Sequence, residues 1–227
     1  IGDIWGYQPS QDQIVDLSQQ TRSCSNLTKY PIVPISSATG AIVSGHPTSC
    51  GGGGGGSSRL FACSECYQHN RALNTWTLLT NMTTKRASSA SVPLNGKLWV
   101  TGGDQNELPS TEYVSPNGDA STPGPDLPSA RAGHCAVKLS TGKVMLLGGG
   151  YYGKIGKSVI VFDPDTETFD ISLPSLRTHR FNFGCAVFKS AMHDNREVVL
   201  AVGGLFRAIA EVFDYTQPNA EWTQSNY

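Results

Sequence analysis

KLWVTGG, Lys97 to Gly103, is a short apolar run closed by two glycines, and it returns as KVMLLGG (Lys143 to Gly149) and VVLAVGG (Val198 to Gly204). A weaker copy, Cys50-Gly51-Gly52, heads a tract of glycines that extends to Gly56. After each pair comes a second short strand-like segment: ACSECYQHN, STEYVSP, SVIVFDPDT and IAEVFDYTQ. A segment with an aromatic residue or a Pro-Leu-Pro turn follows: NTWTLLTNM, PGPDLPS, TFDISLPSL and AEWTQSN. An arginine then opens the next unit, at Arg86, Arg131 and Arg177 or Arg180, ahead of small residues in ASSASV, AGHCAV and NFGCAVF.

A unit of this kind predicts four short strands. The innermost carries small residues (Ala132, Gly133 and Ala136, or Gly184 and Ala186), as strands converging on an axis require. The next is a continuous apolar run, the pattern of a strand covered on both faces. The Gly-Gly pair then lets the chain leave that strand with backbone angles that a side chain disfavours. The outermost strand carries bulk at Trp76, Phe169 or Trp222, where there is room for it.

Gly102, Gly148 and Gly203 are 46 and 55 residues apart, bracketing the period of about 50 of kelch repeats, and no Trp-Asp dipeptide supports the WD40 alternative. The sequence resembles the kelch-repeat family across essentially its whole length, most closely its secreted, cysteine-bearing members. That resemblance implies an all-β fold, a kelch-type β-propeller with about five blades visible, either complete or an incomplete part of a larger ring. We expect a single domain over 1–227. Its partial blade lies at 1–35, where IGDIWGY and QIVDLS lack an innermost strand, and fuller blades run about 36–86, 87–130, 131–177 and 178–227. The start at Ile1 suggests a processed chain or a piece of a longer one.

Composition narrows the function. The 17 basic and 18 acidic residues nearly cancel without forming blocks, which argues against nucleic acid and a polybasic membrane surface. Charged residues are 15% of the chain, against about 25% in an ordinary soluble domain. No apolar run approaches the roughly 18 residues of a spanning helix. P-loop, nucleophile-elbow and H-E-x-x-H motifs are absent. The sequence lacks recognisable copies of the copper-site neighbourhoods of galactose-oxidase-like enzymes and of the sialidase box. No catalytic residue, metal or cofactor is therefore expected. The Gly51–Gly56 tract reads as a connection, and Asp163 and Asp165 read as turn formers.

Cys63 and Cys66 form a C-x-x-C pair without a completing ligand set. A disulfide is expected from Cys50 to Cys66 or Cys63, with Cys24 taking the cysteine that remains. Cys135 and Cys185 occupy one slot in successive inner strands and read as buried thiols filling it. Asn26-Leu27-Thr28 and Asn81-Met82-Thr83 are glycosylation acceptors in predicted loops. With the clustered cysteines they point to an oxidising, extracellular setting.

The expected function is a non-catalytic protein-interaction or structural module that binds protein partners, or other chains of an assembly, through propeller-face loops. The loops after Gly-Gly are the candidates, with Tyr151, Tyr152, Phe206 and Arg207 as contact anchors. Arg131, His134 and Arg180 could face the channel mouth together, or the arginines could bridge backbone carbonyls between blades. An intracellular kelch adaptor or actin-organising protein is the alternative, and an oxidase or hydrolase remnant the second.

Overall fold

The computed structural model describes residues 35–54, 61–103, 107–150, 154–204 and 209–225. Apart from two short 3-10 turns, all regular structure in them is β, in four antiparallel sheets. The expected partial blade at 1–35, with Cys24 and Asn26, lies almost wholly outside them.

The first sheet holds β1 (Ile35–Ser36), β2 (Thr39–Val43), β3 (His46–Cys50), β4 (Gly53–Gly54), β5 (Phe61–Asn70) and β6 (Thr75–Arg86). The second holds β7 (Ala90–Leu94), β8 (Lys97–Thr101), β9 (Thr111–Val114) and β10 (Thr122–Gly124). The third is β11 (Cys135–Lys138), β12 (Val144–Leu147), β13 (Val159–Asp163) and β14 (Thr168–Asp170). The fourth is β15 (Gly184–Ser190), β16 (Arg196–Val202), β17 (Ala210–Phe213) and β18 (Thr223–Ser225). The last three sheets are simple meanders, each strand pairing with the next in sequence. In the first, β5 is long enough to pair with β3 and β4 on one side and β6 on the other.

One expectation is corrected here. The glycine tract is not all connection, because Gly53 and Gly54 form a strand paired with both β1 and β5.

The apolar second strands are covered on both faces, as their composition requires. Val144, Met145, Leu146 and Leu147 are all completely buried. Their side chains alternate between two cores, as a strand's period of two dictates. Val144 and Leu146 join Val92, Leu94 and Trp99 of the second sheet. Met145 and Leu147 join Val199, Ala201 and Phe213 of the fourth. A third core lies between the first and second sheets, around Val43, Met82, Leu98 and Val100. Aromatic stacking adds to two of these seams. Trp99 lies on Phe162 with ring centroids 4.5 Å apart, and Phe213 lies on Trp222 at 5.1 Å. The Trp222 indole N–H donates to the Pro174 carbonyl at 3.1 Å. Sheets joined face to face by side chains, with no ladder between them, are the packing of propeller blades.

Candidate functional site

The repeat's Gly-Gly pairs all fall at the same end of their blades, where the second strand stops, and each is tied to an arginine. The second-glycine N–H donates to an arginine carbonyl of the next unit: Gly52 to Arg86 at 2.7 Å, Gly103 to Arg131 at 2.7 Å, and Gly149 to Arg180 at 3.0 Å. Each arginine side chain then reaches forward to the next Gly-Gly pair. Nη1 of Arg86 donates to Gly102 O at 2.7 Å, that of Arg131 to Gly148 O at 2.8 Å, and that of Arg180 to Gly203 O at 2.6 Å. The arginines thus run a relay from blade to blade along this end. Gly102 shows why glycine is needed: its φ is +58°, and a Cβ there would lie 2.4 Å from the Arg131 carbonyl oxygen.

Two of the three arginines also hold a carboxylate. Glu112 of β9 accepts the N–H groups of Thr83 (2.7 Å) and Thr84 (3.0 Å), the Ser121 hydroxyl (2.8 Å), and Nε and Nη2 of Arg86 (3.2 and 3.0 Å). Burial pushes its pKa up, but these donors outweigh burial and hold it below the ordinary range. Glu211 of β17 repeats the arrangement with the N–H groups of Arg177 and Thr178 and with Arg180 at 2.9 Å. Arg180 therefore fills the repeat slot, while Arg177 is exposed and contributes its backbone.

In the third blade the register puts Ile160 where the others have glutamate, opposite Leu146 as Glu112 is opposite Val100. Three residues before Arg131 stands Pro128, which has no N–H, where Thr83 and Arg177 supply theirs. The Arg131 side chain donates only to the Gly148 and Ser158 carbonyls among the described residues, and its buried Nε has no partner there. Burial alone lowers its pKa to about 10. Beside it His134 is buried, with Nε2 2.8 Å from the Thr101 hydroxyl. Burial and then the Arg131 charge push its pKa down to about 3, so this histidine is neutral.

These positions correct one sequence expectation. Arg131, His134 and Arg180 are 1%, 6% and 1% exposed, so they sit inside the seams and not on a binding face. Nη1 of each arginine is directed at a backbone carbonyl, the alternative that the sequence left open. Tyr151, Tyr152, Phe206 and Arg207 lie outside the described residues. The carboxylate partners were not anticipated, although STEYV and IAEVF carry glutamate in one slot while SVIVF does not.

Among the described residues there are two disulfides. Cys50 and Cys66 face each other directly across β3 and β5, in agreement with one of the expected pairings. Cys135 and Cys185 are bridged across adjacent inner strands, with Cα atoms 6.0 Å apart. This corrects the reading of two buried thiols: the slot repeats at the same height in neighbouring blades, so two cysteines in it come within bonding reach. Cys63 is half-buried, and burial raises its thiol pKa. Asn81 is exposed on β6, so the acceptor lies on a strand and not in the expected loop.

At the opposite end of the blades, a cleft of about 620 Å³ opens between the third and fourth. Met145, Val161 and Phe213 form its apolar floor, and Lys143, Asp163 and Asp170 stand among its polar groups. Among the described residues no cluster of three or more His, Cys, Asp or Glu could hold a metal ion. No helix there is long and apolar enough to cross a membrane.

No family model matches the chain. Kelch-like protein 15 of Mus musculus is 33% identical over 102 residues, 40% of this chain and 17% of the relative. An F-box/kelch-repeat protein of Arabidopsis thaliana is 28% identical over 141 residues, 60% of the chain and 37% of the relative. Galactose oxidase of Gibberella zeae is 33% identical over 86 residues, 37% of the chain and 12% of the relative. The matched stretches thus span well under half the length of these relatives. Two of them carry the kelch repeat in their names, and the same unit accounts here for every Gly-Gly pair and the blade that precedes it. The chain is thus similar to kelch-repeat proteins, and its four described sheets fit the blades of a kelch-type β-propeller.

Proposed function

We propose that residues 1–227 form a single non-catalytic propeller domain, an interaction or structural module that binds protein partners through the loops leaving its Gly-Gly end. The supporting observation is the arginine relay. Every described Gly-Gly pair is hydrogen-bonded to an arginine of the next unit, its own unit, or both, so the loops start from fixed roots on a rigid scaffold. Recognition is commonly carried by loops held in this way. Tyr151, Tyr152, Phe206 and Arg207 are the anchors we assign to those loops. Partner capture by the full chain, compared with a Tyr151→Ala, Tyr152→Ala variant, tests this. A loss of capture with unchanged unfolding supports the assignment, and unchanged capture refutes it.

The setting we propose is extracellular, on the strength of the two disulfides. The exposed Asn81 would then carry a glycan, as would Asn26. Mass spectrometry of native material before and after reduction and deglycosylation tests the setting. Six free thiols and bare asparagines would favour the alternative, an intracellular adaptor.

A further inference from the structure

The cleft between the third and fourth blades lies at the far end from the Gly-Gly loops. Lys143 precedes β12 and Asp163 closes β13, whereas Gly148 follows the opposite end of β12. Its floor is apolar and continuous with the seam: Met145, Val161 and Phe213 are buried, and half-buried Leu173 adds to one wall. Beside it Ile171 is 68% exposed, between Asp170 and Ser172. Pro174 and Ala220, both half-buried, line the cleft with Leu173 and complete its accessible apolar wall.

The rim is acidic around one cation. Lys143 donates to Asp163 at 2.9 Å. Asp170 is exposed and takes only the N–H and hydroxyl of Ser172, at 2.8 and 2.6 Å, among the hydrogen bonds described. Asp165 stands on the turn between β13 and β14, so three carboxylates act on this single lysine. The lysine registers their field: its pKa is raised, first by the Asp163 hydrogen bond and then by the charges of Asp163, Asp170 and Asp165.

We propose that this cleft is a second interaction site, which takes a peptide segment carrying an arginine or lysine next to an apolar side chain. The apolar residue packs on half-buried Leu173, Pro174 and Ala220, and the cation meets Asp170 and Asp163. A carboxylate-bearing segment is rejected by the same rim. The apolar contact supplies attraction, and the charges supply selectivity and encounter rate.

The test is fluorescence anisotropy of the full chain with three labelled nine-residue peptides: alternating leucine and arginine, the same with glutamate for arginine, and the same with glycine for leucine. Only the first should bind, and its affinity should fall at 0.5 M salt, where screening is strong. Replacing two rim charges, Asp163→Asn with Asp170→Asn, should weaken it about tenfold. The pair Asp119→Asn with Asp126→Asn, which changes net charge equally on the second blade, should not. Binding of the glutamate peptide, binding of the glycine peptide as tightly as the first, equal weakening by both variant pairs, or no binding at all would each overturn the proposal. Because the Gly-Gly loops take no part, any of these outcomes leaves the loop assignment untouched.

Discussion

Arg131 and Arg86 occupy one slot of the repeat, yet replacing them should have very different consequences. In Arg131→Met the lost contacts are two hydrogen bonds to neutral carbonyls, at 2.8 and 3.4 Å. The 2.8 Å bond, with its charged donor, contributes about 1.5–3 kcal/mol, and the 3.4 Å contact is too long to add much. Against this stands the cost of keeping the guanidinium buried without a counter-ion. Its pKa falls from 12.5 to about 10, which at about 1.4 kcal/mol per pH unit amounts to about 3 kcal/mol. The two effects nearly cancel, so Arg131→Met should change stability by no more than about 1 kcal/mol. Arg86→Met leaves Glu112 buried without its cation, a situation that costs about 3–5 kcal/mol. Urea unfolding at pH 7, with midpoints compared at constant slope, reads the difference directly. Equal losses in the two variants would refute the view that the carboxylate distinguishes these blades. Ile160→Glu extends the comparison: it should cost at least about 2 kcal/mol less with Arg131 present than in the Arg131→Met background, a coupling that a double-mutant cycle isolates.

His134 makes stability pH-dependent well above the carboxylate range. Its folded pKa is depressed to about 3 while the unfolded value is near 6.5, so the unfolded chain takes up the proton first and stability falls with pH below 6.5. About 2 kcal/mol should be lost between pH 7 and 5, and His134→Asn should flatten that slope in unfolding titrations. Glu112 acts lower: its depressed pKa stabilises above its unfolded value of about 4.3 and is lost as pH falls further, which Glu112→Gln should abolish. Removing Cys135–Cys185 as a pair of alanines should cost about 4 kcal/mol, and removing Cys50–Cys66 about 3, because the bridges close loops with separations of 50 and 16 residues; the reverse order in denaturant midpoints would contradict the loop argument. Gly102→Ala should disrupt folding, since its Cβ would meet the Arg131 carbonyl at 2.4 Å, whereas Gly142→Ala, with open space around it, should cost only about 1 kcal/mol.

The blades were legible in the sequence because their strand order follows chain order. Apolar runs such as VMLL announce a strand covered on both faces, and Gly-Gly marks where it ends. What the local pattern could not convey is the height at which residues of different blades meet. Cys135 and Cys185 show this: each looks like a small residue filling its own strand, and only the packing of β11 beside β15 brings them together. The arginines show the converse. Their recurrence was visible, but exposure and burial read alike in a residue that is both long and charged, and it was the carbonyls at the end of the next second strand that settled their place. One further signal was present in the chain itself. Where Ile160 replaces the clamp glutamate, Pro128 replaces the residue whose N–H that glutamate would accept. A carboxylate placed there would lose one backbone donor, and a donor placed there would face an apolar side chain. The two differences fit each other, so the third blade carries a consistent variant of the clamp, and the strain that remains in it falls on Arg131 and His134.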